Sequence, residues 1–185
     1  GGRGTLKGVE LLINHNLNAA WYGWLSLSYS HQQRHNDLLG RDFNYEWDIP
    51  LQLNAVVQYQ WHEHWQLGLK WRYQSGRRFT EIFGSRPVYA NLQGQSDLSQ
   101  PPLFYHPIEG EFNGARRDAM HRLDVRLDYQ TQWGPYPVTL YAEVLNLYAN
   151  QTVQEQEWNA DYSAFELDYE FPDFPFPGVG LTIRF

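Results

Sequence analysis

The chain has 185 residues, 42% of them hydrophobic and 17% aromatic, with eight Trp, thirteen Tyr and no Cys. The lack of Cys excludes a disulfide framework and a Cys-based zinc site, and a formal net charge of -7 argues against nucleic acid as a partner. Mean hydropathy is -0.61, and no stretch offers the roughly 18 consecutive apolar residues of a membrane helix.

The opening Gly1-Gly2-Arg3-Gly4 carries no signal peptide and reads as the interior of a protein. Period-2 alternation then predicts seven strands. The first covers about Thr5 to Asn14, with Val9, Leu11 and Ile13 on one face. The second covers Trp21 to Gln33, where Leu25, Leu27 and Tyr29 oppose Ser26, Ser28 and Ser30. The third covers Leu51 to Trp61, and the fourth Trp65 to Ser75. In the fifth, His121 to Trp133, Leu123, Val125, Leu127 and Tyr129 oppose Arg122, Asp124, Arg126 and Asp128. The sixth starts near Val138 and is expected to run past Asn150. The seventh is the terminal segment ending Gly180-Leu181-Thr182-Ile183-Arg184-Phe185. No helix of useful length, internal repeat or low-complexity linker is visible.

The connectors alternate. Links around Asn16, at His62-Glu63-His64 and at Gly134-Pro135-Tyr136-Pro137 are short; those over about 34–49, 77–119 and 149–177 are long. Short turns at one end and long loops at the other are the pattern of an outer-membrane β-barrel, whose polar lumen face and apolar lipid face average to a modest hydropathy. In that reading Leu53, Val57, Leu67, Leu69, Leu123, Val125, Leu127, Leu181 and Ile183 face lipid. Lys70, Arg72, Arg122, Asp124, Arg126 and Asp128 face the lumen. Trp21, Trp61, Trp65, Trp133 and Tyr136 gather beside the short turns, at the interface such rings prefer. Outer-membrane barrels also commonly end as this chain does, so Gly180, Ile183 and Phe185 read as an assembly signal with Phe185 on the periplasmic side. Within the last loop, Thr152 to Trp158 is expected to pair with Phe165 to Phe171 around a turn at Asn159 to Ser163. Pro172, Pro175 and Pro177 are expected to interrupt pairing before the last strand.

The ordered motifs carry a resemblance. Gly4-Thr5-Leu6-Lys7-Gly8-Val9-Glu10-Leu11, Trp71-Arg72-Tyr73-Gln74-Ser75-Gly76, His121-Arg122-Leu123-Asp124-Val125-Arg126 and Glu143-Val144-Leu145-Asn146-Leu147 follow one another. After them come Asn159-Ala160-Asp161-Tyr162, the Pro172 to Pro177 run and the terminal Phe185. In this order and spacing the chain resembles the C-terminal third of a TonB-dependent outer-membrane receptor over essentially its whole length. The resemblance implies an all-β fold, with residues 1–185 forming about seven strands of a 22-stranded, plugged barrel and leaving two open edges. It implies import of a scarce nutrient such as a ferric siderophore. The implied partners are outer-membrane lipid and lipopolysaccharide, the remaining strands and plug of the receptor, TonB through that plug, and the barrel assembly machinery. The alternative is a barrel acting in adhesion or as a phage or bacteriocin docking surface. A third reading is a soluble β-sandwich.

Neither enzyme chemistry nor a cofactor is expected. His62-Glu63-His64 could suggest a metal site but reads as a solvated turn, and no metal is assigned. Arg122, Asp124, Arg126, Asp128 and Glu143 read as a charge ladder rather than acid–base machinery. Glu109 and Glu111 lack the pocket a glycosidase needs. Asn150-Gln151-Thr152 fits a glycosylation sequon by coincidence. The 77–119 loop holds the candidate ligand residues: Arg77, Arg78, Arg86, Arg116 and Arg117 supply charge, and Tyr89, Phe104 and Tyr105 aromatic surface. Arginines among aromatics suit an anionic, partly apolar ligand; contact with lipopolysaccharide phosphates, or simple solvation, is the plainer reading.

Overall fold

The alternating pattern builds one broad antiparallel sheet. The computed structural model describes residues 1–16, 20–92, 95–96 and 98–185. Among them lie sixteen strands and no helix. In chain order they are β1 (Gly2–Asn16), β2 (Trp21–Asn36), β3 (Arg41–Asn44), β4 (Leu51–His62), β5 (Trp65–Gln74), β6 (Arg78–Phe79), β7 (Ile82–Val88) and β8 (Asn91–Leu92). There follow β9 (Gln95–Ser96), β10 (Phe104–Glu109), β11 (Ala115–Arg116), β12 (Met120–Trp133), β13 (Tyr136–Leu145), β14 (Val153–Trp158), β15 (Phe165–Tyr169) and β16 (Phe176–Ile183). The main sheet runs β1-β2-β4-β5-β12-β13-β16, with β3 folded back on the end of β2. It is open, and β1 and β16 are its edges.

Register sorts the side chains. Ile13 lies opposite Leu25, Leu25 opposite Ala55, Ala55 opposite Trp71 and Trp71 opposite Leu123. On one side of this row Leu27 meets Leu11 and Leu53, and on the other Val125 meets Leu69 and Val144. Leu140 then meets Leu181, and Val138 meets Ile183. One face is therefore apolar across all seven strands. The other carries Ser26, Ser28, Asn54, Gln58, Lys70, Arg72, Arg122, Asp124, Arg126 and Asp128, and the two expected sets fall on opposite faces.

Neither face is covered by a second layer. Among the described residues only Met120 (7% exposed) and Val138 (2%) are buried apolar side chains, while Val9 is 72% and Val179 84% exposed. The chain exposes 12973 Å², against about 9,300 Å² for a compact protein of its mass. Its stability as a sheet rests on ladder hydrogen bonds and cross-strand pairs, not on a core.

The charged face pairs internally. Arg126 makes a forked contact with Asp128 (Nε–Oδ1 3.0 Å, Nη2–Oδ1 2.9 Å) and lies 3.6 Å from Glu143. Arg122 Nε lies 2.9 Å from Asp124 Oδ1, off the hydrogen-bond direction. A glutamine ladder adjoins these charges: Gln130 Nε2 donates to Gln66 Oε1, and Gln66 Nε2 to Gln58 Oε1, each at 3.2 Å.

Aromatic rings mark the short-turn end. Trp21 stacks on Tyr59 at 4.1 Å, Trp65 lies 4.8 Å from Tyr129, Trp61 stacks parallel to Trp65, and Phe185 meets Tyr136 edge-on at 5.9 Å. Trp133 lies directly opposite Tyr136.

Three expectations about boundaries are corrected. The sixth strand does not run past Asn150: β13 stops at Leu145, because Asn146 and Ala149 take left-handed backbone (φ 54° and 52°) that ends a ladder. Pro177 does not precede the last strand but lies within it, opposite Val144, in the opening turn of pairing where a missing N–H is tolerated. Pro137 likewise belongs to β13, shortening the third turn to Gly134-Pro135. The first short link falls mostly on residues 17–19, outside the described residues. The expected last-loop hairpin is present as β14 and β15.

Candidate functional site

All three long connectors meet at one end of the sheet. They also hold every buried polar side chain among the described residues: Asp48, Asn113, Asn146 and Thr152. The folding of this end is a matter of satisfying polar groups.

Asp48, fully buried, is the hub. Its Oδ1 accepts the Gln32 backbone N–H at 2.8 Å, which ties the 37–50 connector to β2. Its Oδ2 accepts Arg78 Nε at 3.0 Å and Arg116 Nη2 at 2.9 Å, which ties it to the 75–119 connector. Arg116 Nη1 adds bonds to the carbonyls of Asp48 (2.6 Å) and Gly76 (2.7 Å). Burial alone would raise the Asp48 carboxyl. The Gln32 amide, Arg78 and Arg116 outweigh it and hold the carboxyl below its ordinary value.

Four of the five arginines of the 77–119 loop gather at the β6–β11 ladder and divide into two pairs. Arg78 and Arg116 face each other in the two-residue β6–β11 ladder, and both turn to Asp48. Arg77 and Arg117 line a cleft of about 360 Å³ together with Glu46, Phe79, Gln154 and Glu155, and Arg78 also reaches its wall while paired to Asp48. Arg77 rests on the Trp47 ring at 4.6 Å, donates to the Gln154 carbonyl at 2.9 Å and lies 3.8 Å from Glu46. Arg117 rests on the Phe79 ring at 4.7 Å. Its backbone N–H donates to the Arg77 carbonyl, and its own carbonyl sits where a Gly76 side chain would stand, so only glycine fits there. Burial first, then the like charge of Arg77, lowers the Arg117 pKa against the weaker pull of Glu155 and Glu46.

The remaining candidate ligand residues stand apart from this cleft. Arg86 is exposed on β7 opposite His106 of β10; Tyr105 lies opposite Pro87, and Tyr89 follows β7. The β14–β15 hairpin joins the same end through Ser85 Oγ, which donates to the Asp161 carbonyl. At its base Asn146 donates its backbone N–H to Asp124 Oδ1 and exchanges bonds with Asn150.

The terminal candidates have separate surroundings. The Tyr141 ring lies where a side chain on Gly180 would stand, and Arg126 covers that ring at 3.8 Å. Ile183 faces Val138. Phe185 is fully exposed (101%).

Sequence reasoning missed Asp48, Trp47, Glu46 and Gln154. A lone Asp between Trp and Ile carries no local signal; only folding brings it to arginines 30 and 68 positions away. No protein-family model and no curated protein matches the chain.

Proposed function

We propose that the chain forms the C-terminal part of the barrel of a TonB-dependent outer-membrane receptor and takes part in importing a scarce nutrient such as a ferric siderophore. One observation carries the membrane part of this reading: an apolar face continuous over seven antiparallel strands, with no core beneath it. A water-soluble sheet of this size would bury that face, because leaving it in water costs about 25 cal/mol per Å². In a bilayer it needs no cover, while the opposite polar face lines the lumen. Edges that a bilayer does not tolerate are closed by the rest of the barrel. The long connectors, two of them locked together by Asp48 and the third tied in through Arg77 and Ser85, are the surface on which a ligand is captured, and a plug supplied by the rest of the receptor then moves it inward.

The absence of native Cys makes the test clean. Leu27 and Ser28 are neighbours on opposite faces of β2. With Leu27→Cys and Ser28→Cys introduced singly, a bilayer-borne quencher is expected to reach a label at 27 and not at 28. Equal quenching, or full reaction of both with a water-soluble maleimide, would overturn membrane insertion. Energy-dependent accumulation of a ferric siderophore by cells carrying the intact receptor tests import. Insertion without uptake would favour the adhesion or docking reading.

A further inference from the structure

The geometry points to an oxyanion-binding cleft at the long-connector end, in which Arg117 is the principal contact and Arg77 the second. This deepens the receptor reading by naming which loop residues hold a ligand and through which group. The ligand presents a carboxylate or phosphate group, the chemistry that a guanidinium fork recognises through two parallel hydrogen bonds.

Four observations support it. The β6–β11 ladder pairs Arg78 with Arg116 and is flanked by Arg77 and Arg117, and like charges gathered at one ladder need compensation. Asp48 compensates Arg78 and Arg116, which are spoken for by four hydrogen bonds. Arg77 has Glu46 at 3.8 Å. Arg117 has no carboxylate within ion-pair distance and no side-chain hydrogen bond among the described residues, although it is half-buried. It is thus the cation left over, in a cleft of about 360 Å³.

Its orientation is fixed. The close approach to Gly76 and the bond to the Arg77 carbonyl lock the backbone, and the Phe79 ring covers one face of the guanidinium. Arg77 is held in the same manner on Trp47. Glu46 and Glu155 at the rim favour a single anionic group over a polyanion, since further negative charge would meet carboxylates. The cleft volume fits a small molecule or one arm of a larger one.

The test uses the intact receptor in detergent micelles, with benzoate and phenyl phosphate as probes that each carry one carboxylate or one phosphate group, at constant ionic strength. Binding is read from the arginine side-chain N–H signals by NMR. Saturable shifts at Arg117 are expected, and Arg117→Gln should weaken binding about tenfold or more. Arg77→Gln should weaken it less, and Lys7→Gln on the exposed β1 should leave it unchanged. Protection of the Gln32 amide, which reports the intact Asp48 hub, verifies that each variant is folded. Whichever probe binds more tightly identifies the oxyanion. Absence of saturation by either probe to about 10 mM, or equal weakening by Arg117→Gln and Lys7→Gln, would overturn the assignment. Membrane insertion is measured separately at positions 27 and 28, so failure of this cleft leaves the barrel reading standing.

Discussion

The sheet and its loop end are held together by opposite means. The seven-stranded wall buries almost nothing: its side chains are sorted to two faces and left to their surroundings, and backbone ladders supply the cohesion. The loop end buries four polar side chains and builds its order from hydrogen bonds converging on them. A wall of this kind tolerates exchange of like for like on each face and fails when the faces are mixed. A polar hub fails when one partner is removed, because the others are left buried and unpaired.

The largest expected effect follows from breaking the hub. Asp48→Ala strands Arg78 and Arg116 without their carboxylate, with a local cost of about 3–5 kcal/mol. Hydrogen exchange should rise at Gln32, Arg78 and Arg117 while β12 and β13 keep their protection. Uniform loss across the wall would mean that the two regions are not separable. Acid should do the same more gently. The native Asp48 carboxyl sits below its ordinary value, so its contribution is complete above about pH 3.9 and is lost as pH falls through the lower native value. Asp48→Asn should remove that part of the acid response.

Mixing the faces comes next. Leu127→Arg puts a charge on the apolar face, and folding into lipid vesicles should weaken by about 2–4 kcal/mol. Ser28→Arg, on the polar face, should cost well under about 1 kcal/mol by the same rule. Equal effects would erase the distinction between the faces. Gly180→Val is an intermediate case. It forces the Tyr141 ring off its seat and with it the Arg126 guanidinium, an overpacking cost of about 1–3 kcal/mol, to be read as earlier thermal opening of the β13–β16 pair. The smallest effect on stability is expected from deleting Phe185, which loses one edge-on contact with Tyr136 worth at most about 1.5 kcal/mol. If insertion in cells nonetheless falls, while deletion of Glu109 to Glu111 leaves it intact, the residue acts in assembly and not in holding the sheet.

Legibility followed the same divide. The wall strands were readable because period 2 repeats over long runs and each connector breaks it visibly; the β14–β15 hairpin was readable because both arms are rich in residues that suit strands. The ends of β13 and β16 were not. Asn146 stops one ladder by a left-handed turn, and Pro177 joins another because its place there needs no donor. In the loops the arginines were visible, but their division was not. That Arg78 and Arg116 are held by Asp48 while Arg117 meets the cleft without a carboxylate partner depends on a two-residue ladder and on an aspartate remote in sequence.

The register of the wall also fixes an angle. Rows drawn straight across the sheet join Trp21 to Tyr59, Leu67 and Leu127, yet the innermost pairs of the three short hairpins, Asn16 with Tyr22, His62 with Trp65 and Trp133 with Tyr136, lie progressively further along the strands from such a row. Each hairpin advances by roughly three to four residues, or about 10–13 Å, over two strand spacings of about 10 Å. If the three turns share one level, the strands must lean from the perpendicular by roughly 45–50°, near the slope at which strands cross a bilayer. The aromatic rings from Trp21 to Phe185, which climb diagonally when viewed along the strands, then lie on a single horizontal line.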